Sequence, residues 1–92
     1  MFEWDEAKRQ ANRRKHGIDF ADVLGVFTDP ARVELVDARR DYGEPRRVIL
    51  APVQGRLLHV TWTWRAGNRR LISARKANAR ERHRYERIRD EA

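Results

Sequence analysis

The stretch RRLISARKANARERHRY, from Arg69 to Tyr85, decides the fold. It begins as a predicted β-strand, because Leu71 and Ile72 favour extended backbone, and it becomes a predicted helix almost without a connection. The predicted helix is basic and carries Lys76, Arg80, Arg82, Arg84, Arg87 and Arg89. A strand end that meets a cationic helix places guanidinium groups where an anionic ligand can bind, and the pattern favours nucleic acid.

Two helices are predicted before the sheet. Asp5 suits the N-cap of a helix over Glu6–His16, and Gly17 is a natural stop. Asp19 caps a second predicted helix, which ends at Thr28-Asp29-Pro30 because the residue before a proline avoids helical backbone. Its apolar residues recur at i, i+3, i+4 and i+7 and form one face: Phe20, Val23, Leu24 and Phe27.

Four strands are predicted between the second helix and the last one. They cover residues 32–38, 46–53, 56–65 and 69–75, with a polar loop over 39–45. Gln54-Gly55 fits a two-residue hairpin turn, and Ala66-Gly67-Asn68 a three-residue turn. The predicted fold class is therefore α+β in a single domain, residues 1–92, with two N-terminal helices, a four-stranded antiparallel sheet and a C-terminal basic helix.

The two turns fix the strand register, and the register decides which side chains share a face. Counting back from the turns places His59 opposite Arg75 and Trp62 opposite Ile72. One face is apolar and is the predicted core, covered by the first two helices; it carries Ile49, Ala51, Val53, Leu58, Val60, Trp62, Trp64, Ile72 and Ala74. The other face is mixed and carries Arg46, Val48, Leu50, Leu57, His59, Thr61, Thr63, Leu71, Ser73 and Arg75.

Composition restricts the class of protein. The 92 residues include 21 Lys and Arg against 14 Asp and Glu, and the net charge of +7 favours phosphate backbones or an acidic protein as partners. The absence of cysteine excludes disulfides and thiolate metal sites. No apolar run approaches the ~20 residues of a membrane span, and the N-terminal residues lack a signal-peptide pattern. We therefore expect a soluble cytoplasmic protein without a membrane partner.

The mixed face contains a candidate phosphate-handling set: Arg46, His59 and Arg75. Arginine binds phosphate bidentately, and histidine exchanges protons near neutral pH. A ribonuclease that uses the 2′-hydroxyl of its own substrate needs such groups and no metal. The alternative for His59 is a hydrogen bond to a neighbour on a solvated face. No ligand-spaced cluster is visible, so no metal and no cofactor are expected.

The last helix has an apolar stripe that a carboxylate interrupts. Its members are Ala77, Glu81, Tyr85, Ile88 and Ala92. A carboxylate in such a stripe usually pairs with an arginine, and Arg75 or Arg46 could supply it. Tyr85 is first a packing residue, although its hydroxyl could reach the sheet and handle a proton.

The order of three segments resembles the BrnT family of toxins from type II toxin–antitoxin systems, and this order covers nearly the whole chain: FEWDEAKRQANRRKHGIDFADVLGVFTDP, then GEPR, then RLISARKANARERHRYE. Three anchors within it match closely. The first runs from Asn12 through Lys15-His16-Gly17, and the second is Gly43-Glu44 with Arg46. The third is ISARKA, residues 72–77, followed by Glu81-Arg82 and Tyr85.

The resemblance implies a compact RelE-like fold, a ribonuclease that blocks translation without a metal, and an antitoxin encoded alongside. The expected antitoxin is BrnA-like, binds DNA, and forms a hetero-oligomer with the toxin. The polar residues that match the family by position are Arg46, Arg70, Arg75, Lys76, Arg82 and Tyr85. His59 departs from the family pattern, which commonly has an apolar residue there, so its role depends on the register alone.

These observations lead to a hypothesis of a small endoribonuclease toxin. The predicted catalytic residues are Arg46, His59, Arg75 and Tyr85, and the predicted RNA-binding residues are Lys15, Arg70, Lys76, Arg80 and Arg82. One alternative is a non-catalytic basic module that binds DNA or an acidic protein, since the charge alone explains such binding. Another is a degenerate family member that survives as a subunit of a complex.

Overall fold

The computed structural model describes residues 1–37 and 43–91. The regular elements, in chain order, are β1 (Phe2–Glu3), α1 (Glu6–His16), two 3₁₀ helices (Phe20–Asp22 and Leu24–Thr28), β2 (Val33–Asp37), β3 (Arg46–Val53), β4 (Arg56–Arg65), β5 (Asn68–Lys76) and α2 (Ala79–Glu91). No helix within these ranges is long and apolar enough to cross a membrane.

The strands form one five-stranded sheet in the order β1-β5-β4-β3-β2. Strand β1 runs parallel to β5, whereas the other neighbours are antiparallel. The α+β class is confirmed and the four predicted strands pair antiparallel, but the sheet has a fifth strand, β1, that the predicted four-stranded sheet lacks. Two residues are too few to give a strand signal. Ala38 and most of the predicted polar loop lie outside the described residues.

Helix α1 begins and ends as its sequence predicts. The Asp5 side chain accepts a hydrogen bond from the Lys8 N–H, and Gly17 adopts φ 70° and donates its N–H to the Arg13 carbonyl. Asn12 is buried and docks the helix on β5: its amide donates to the carbonyls of Ile18 and Ala74 and accepts from the Ala74 N–H. A neutral amide thus satisfies three buried backbone groups at this junction.

The second predicted α-helix was wrong, because the segment forms two short 3₁₀ helices. A 3₁₀ helix has three residues per turn, and Phe20, Val23 and Val26, which are three apart, are all buried, as is Phe27. Leu24, which the α-helical period placed on the core face, is only partly buried. Asp19 still caps the segment by accepting from the Ala21 N–H.

The hairpin β3–β4 has the predicted two-residue turn at Gln54-Gly55 and the predicted register, with Val53 opposite Arg56. The next turn also has two residues rather than three, because Arg65 pairs with Asn68. A β-bulge compensates: Thr61 pairs with Ser73 but Trp62 pairs with Leu71. Leu71 therefore lies in the core, and the predicted pairing of Trp62 with Ile72 was wrong.

The sheet has a buried core on each face. The larger core lies under α1 and the 3₁₀ helices and contains Ile18, Phe20, Val23, Val26, Phe27, Ile49, Ala51, Leu58, Val60, Trp62, Leu71 and Ala74. The smaller core contains Val33, Val48, Leu50 and Ala77, with Tyr85 and Ile88 of α2 packed on it. Helix α2 is therefore held on the mixed face, where the predicted site residues lie.

Candidate active site

A capping box fixes the start of α2. The Glu81 N–H donates to Asn78 Oδ1 at 2.8 Å, and the Asn78 N–H donates to Glu81 Oε1 at 2.9 Å. This reciprocal pair satisfies two of the orphan N–H groups at a helix N-terminus. It also points the Glu81 carboxylate toward the sheet, since the same oxygen is shared with a residue of β5.

Glu81 joins the helix to two residues of the sheet. Arg75 Nη1 and Nη2 donate to Glu81 Oε1 and Oε2 at 2.8 and 2.9 Å, a bidentate pair. His59 Nε2 lies 3.5 Å from Glu81 Oε2, and His59 is directly opposite Arg75 in the ladder. The predicted pairing of Glu81 with an arginine is confirmed, and the partner is Arg75.

The environment of Glu81 keeps its carboxylate ionised. Burial raises the pKa of this carboxyl group, but hydrogen bonds from Arg75 and from the Asn78 N–H lower it by more. The resulting pKa is about 2. The positive charge that His59 carries when protonated acts in the same direction. A carboxylate with so low a pKa is a weak base at neutral pH, so Glu81 is suited to orienting its neighbours rather than to taking up protons.

A cleft of about 420 Å³ opens between α2 and strands β2, β3 and β4. Its lining residues are Leu35, Val36, Asp37, Val48, Leu50, His59, Glu81 and Arg84. His59 is buried within the fold yet reaches the cleft wall. A mostly apolar lining with a few polar groups is typical of a ligand site.

Arg46, His59 and Arg75 lie on the same face of the sheet, as predicted. Arg46 alternates with Val48 and Leu50, and Leu50 pairs with His59, which pairs with Arg75. Arg46 is, however, four residues along β3 from that row, which corresponds to roughly 13 Å. Its direct ladder partner is Asp37 of β2, so Arg46 and Asp37 occupy the far end of the same face.

Two of the predicted polar residues hold other parts of the fold. Tyr85 Oη donates to the Ala31 carbonyl at 2.8 Å, which ties α2 to the segment before β2. Arg70 Nη1 pairs with Glu3 at 2.6 Å and so ties β5 to β1.

Of the other residues predicted to bind RNA, Arg82 donates to the Ala77 carbonyl at 3.0 Å, across the loop before α2. Lys15, Lys76 and Arg80 are exposed, at the end of α1, the end of β5 and the start of α2 respectively. The structure thus brings His59 and Arg75 together with Glu81 and leaves the other predicted residues distributed around them.

Three residues of the site were not among the predicted site residues: Glu81, Asp37 and Arg84. The signal for Glu81 was present, because a carboxylate in an apolar stripe indicates a specific partner. Asp37 and Arg84 gave no local signal, since their positions on the cleft depend on how α2 packs over β2. Among the described residues, no group of three or more metal-ligating side chains is present.

The fold and the site define a small cationic α+β domain whose cleft combines a histidine, two carboxylates and an arginine. A family model described as "Ribonuclease toxin, BrnT, of type II toxin-antitoxin system" matches residues 4–81. The chain belongs to this family, and the predicted resemblance is confirmed. Membership implies a ribonuclease toxin with RNA as its target and an antitoxin as its partner. No curated protein matches the chain.

Proposed function

We propose that this protein is an endoribonuclease toxin that cleaves RNA without a metal, using the 2′-hydroxyl of the substrate as the nucleophile. The observation that supports this best is the chain of contacts from His59 through Glu81 to Arg75 at the cleft. These contacts place the imidazole of His59, a residue type suited to proton transfer, beside the carboxylate of Glu81 and the guanidinium of Arg75.

His59 acts as the general base through Nδ1, the ring nitrogen that does not face Glu81. This atom is buried in the free protein, so the bound RNA has to open the wall of the cleft to reach it. The 2′-oxygen loses its proton to the imidazole and forms a bond to phosphorus, while the bond from phosphorus to the 5′-oxygen breaks. The leaving 5′-oxygen takes a proton from a water molecule, and the hydroxide that remains takes up the proton held by the imidazolium. The products are a 2′,3′-cyclic phosphate and a 5′-hydroxyl, with His59 and water restored. Glu81 orients the imidazole and stabilises the imidazolium that forms, the role of the aspartate in a serine-protease triad.

Arg75 retains donors for the scissile phosphate. A guanidinium has five N–H donors, and the bonds to Glu81 and to the Lys76 carbonyl use three of them. The remaining Nε–H and Nη2–H point in the same direction and suit a phosphate bidentately. Glu81 therefore fixes the guanidinium plane while one edge of it stays available to charge that develops on the phosphoryl oxygens.

Arg84 and Arg46 supply further positive charge on this face. Arg84 lines the cleft beside His59 and Glu81, and Arg46 lies at the far end, next to Asp37 in the ladder. Tyr85 stays a predicted catalytic residue. Its hydroxyl would have to leave the Ala31 carbonyl to take part.

The test is cleavage of a single-stranded RNA in EDTA by purified wild-type protein and by Arg75→Ala. We expect wild type to produce 2′,3′-cyclic phosphate ends. Arg75→Ala should be slower by about 10² to 10³-fold, the usual cost of one transition-state donor. A substrate with 2′-deoxyribose at the cleaved position should resist wild type completely.

Arg9→Ala is the matched control, because Arg9 is also bonded to a carboxylate, Asp19 of the other sheet face, at 2.8 and 2.9 Å. Circular dichroism and thermal melting verify that each variant is folded. Equal cleavage by wild type and Arg75→Ala, or no cleavage by wild type in EDTA, would contradict the proposal.

We further propose that a DNA-binding, BrnA-like antitoxin neutralises the protein by forming a hetero-oligomer with it, and that the free toxin blocks translation in the cytoplasm. Expression of the chain alone should arrest growth, and coexpression with the neighbouring antitoxin gene should restore it. Growth without arrest, with the protein folded and abundant, would contradict this part.

A second candidate is a binding module without catalysis. Arg80, Arg84 and Arg87 of α2 are exposed and the chain carries a net charge of +7, which suits binding to a phosphate backbone without any chemical step. Tolerated expression combined with salt-sensitive DNA binding would favour this candidate over the toxin.

A further inference from the structure

The outer side of α2 carries a stripe of four cationic or titratable side chains: Arg80, His83, Arg84 and Arg87. Their spacing of i, i+3, i+4 and i+7 puts them on one side of the helix, next to the packed side that Glu81, Tyr85 and Ile88 form. All four are exposed, and together they line a shallow surface depression. Glu91, one turn beyond Arg87, ends the stripe. We call these four residues the α2 stripe.

The guanidinium groups of the α2 stripe are available to a ligand. In residues 1–37 and 43–91, neither a hydrogen bond nor an ion pair involves the side chain of Arg80, Arg84 or Arg87. Other arginines of the same helix are engaged, since Arg82 donates to the Ala77 carbonyl and Arg89 to the Pro30 carbonyl. The helix thus uses some of its arginines to hold the fold and leaves those of the stripe in solvent.

Arg84 belongs to two features of the surface. It lines the cleft together with His59 and Glu81, and it lines the depression together with Arg80, His83 and Arg87. The cleft and the α2 stripe are therefore continuous through one side chain. Neighbours on one side of a helix lie ≈ 5–6 Å apart at Cβ, a spacing that long arginine side chains can match to successive phosphates of one strand.

We propose that the α2 stripe binds the sugar–phosphate backbone of single-stranded RNA next to the cleavage point, with Arg84 guiding the strand from the stripe into the cleft. This inference rests on the proposed ribonuclease function, because it takes the cleft to be the place of cleavage. Binding of RNA to the stripe can be tested separately from cleavage. The family match ends at residue 81, so most of the stripe is a feature of this chain beyond the matched range. An acidic antitoxin segment is the competing occupant.

The experiment measures binding of a 2′-O-methyl RNA oligonucleotide, which cannot be cleaved, by fluorescence anisotropy over a range of salt concentrations. The variant is Arg80→Gln/Arg87→Gln, and the matched control is Lys8→Gln/Arg14→Gln, which removes the same charge from the exposed side of α1. Each phosphate contact contributes about 0.7 to the salt slope for a single strand. We expect the α2 variant to lose about 1.4 from the slope and the α1 variant to keep the wild-type slope.

Two outcomes would overturn the proposal: an unchanged slope in the α2 variant, or an equal loss in the α1 variant. Loss of antitoxin binding in the α2 variant with unchanged RNA binding would assign the stripe to the antitoxin instead. A failure of the ribonuclease function would be visible separately, as wild-type protein that binds the methylated RNA but does not cut unmodified RNA.

Discussion

Helices α1 and α2 are both short and basic, and they cover opposite faces of the same sheet, yet they are held there differently. Helix α1 lies on the larger, aromatic core and is docked by the neutral amide of Asn12. Helix α2 lies on the smaller core and is docked by the charged carboxylate of Glu81. An amide satisfies backbone groups and has no further chemistry, whereas an anion beside a histidine changes what that histidine can do.

The cations of the two helices also differ in their partners. On α1, Arg9 and Arg13 both face Asp19, at 2.8 and 3.9 Å. On α2, the arginine that pairs with the docking carboxylate comes from the sheet, so the arginines of the outer side remain exposed. The two helices are therefore not distinguished by their number of charged residues. They are distinguished by where the nearest carboxylate lies and which arginine it binds.

Neutralising the carboxylate on each side of the sheet should give the largest difference between the two helices. Glu81→Gln should lower RNA cleavage by at least about 100-fold, because an amide cannot stabilise an imidazolium as an anion does. Asp19→Asn, the corresponding change on the α1 side, should alter cleavage by less than about threefold, within the range of surface changes. Single-turnover cleavage rates measure both variants. Equal rates in Glu81→Gln and Asp19→Asn would contradict a role of Glu81 in cleavage.

The docking amide of α1 should matter most for stability. Asn12→Ala leaves the carbonyls of Ile18 and Ala74 and the Ala74 N–H without their partner, and we expect a loss of about 2 to 4 kcal/mol in the free energy of unfolding. Urea denaturation measures it. The control is Gln10→Ala on the same helix, which should cost under about 0.5 kcal/mol; an Asn12 effect as small as that would refute the docking role.

Acid should weaken the α2 side through Glu81. Because the pKa of Glu81 falls from 4.5 to about 2 on folding, its ionised form stabilises the protein above pH 4.5, and this contribution is lost as the pH falls toward 2. The contribution is on the order of 2 kcal/mol. The pKa of Asp19 is also held well below its usual value, by the hydrogen bond from Arg9, so both carboxylates act in the same direction.

Denaturation midpoints of wild type, Glu81→Gln and Asp19→Asn between pH 6 and pH 2 test this. Each variant should lose less stability on acidification than wild type, and a wild-type pH profile in Glu81→Gln would contradict the assignment.

The smallest expected effect concerns the cap of α2. Asn78→Ala removes the acceptor for the Glu81 N–H, and a lost N-cap costs about 1 kcal/mol. The backbone N–H of residue 78 can still donate to Glu81, so most of the cleavage activity should survive. A loss of stability as large as that of Asn12→Ala would indicate that α2 is docked by its cap rather than by its packing.

Local signals in the sequence were enough to predict much of this architecture. The caps of α1 and the first hairpin follow from neighbouring residues and one turn. The row of His59 and Arg75 was predicted with a second turn that is one residue too long, and it holds because the bulge offsets the difference. The pairing of Glu81 with an arginine also followed, because a carboxylate in an apolar stripe needs a cation. The sequence left Arg75 and Arg46 as candidates, and the structure has Arg75 as the partner. In the segment after Asp19, the apolar residues fit both a 3₁₀ period and an α-helical period, and the prediction of an α-helix was wrong there.

Contacts between distant parts of the chain could not be predicted in this way. The Tyr85 hydroxyl reaches a carbonyl 54 residues away, and Arg70 pairs with Glu3 across 67 residues. Both contacts depend on how whole elements pack, which no window of sequence encodes. The position of Arg84 on the cleft has the same origin, and the catalytic and RNA-binding assignments stay predictions that the experiments above address.

The bulge in β5 makes the length of that strand adjustable at a single position. Leu71 and Ala74 both belong to the α1 side although they are three residues apart, and Ile72 is the surplus residue that allows it. Deleting Ile72 would straighten the ladder and leave Arg75 where it is. Deleting Ser73 instead would give a strand of the same length with the isoleucine opposite Thr61, so the bulge can absorb the loss of either residue without moving Arg75.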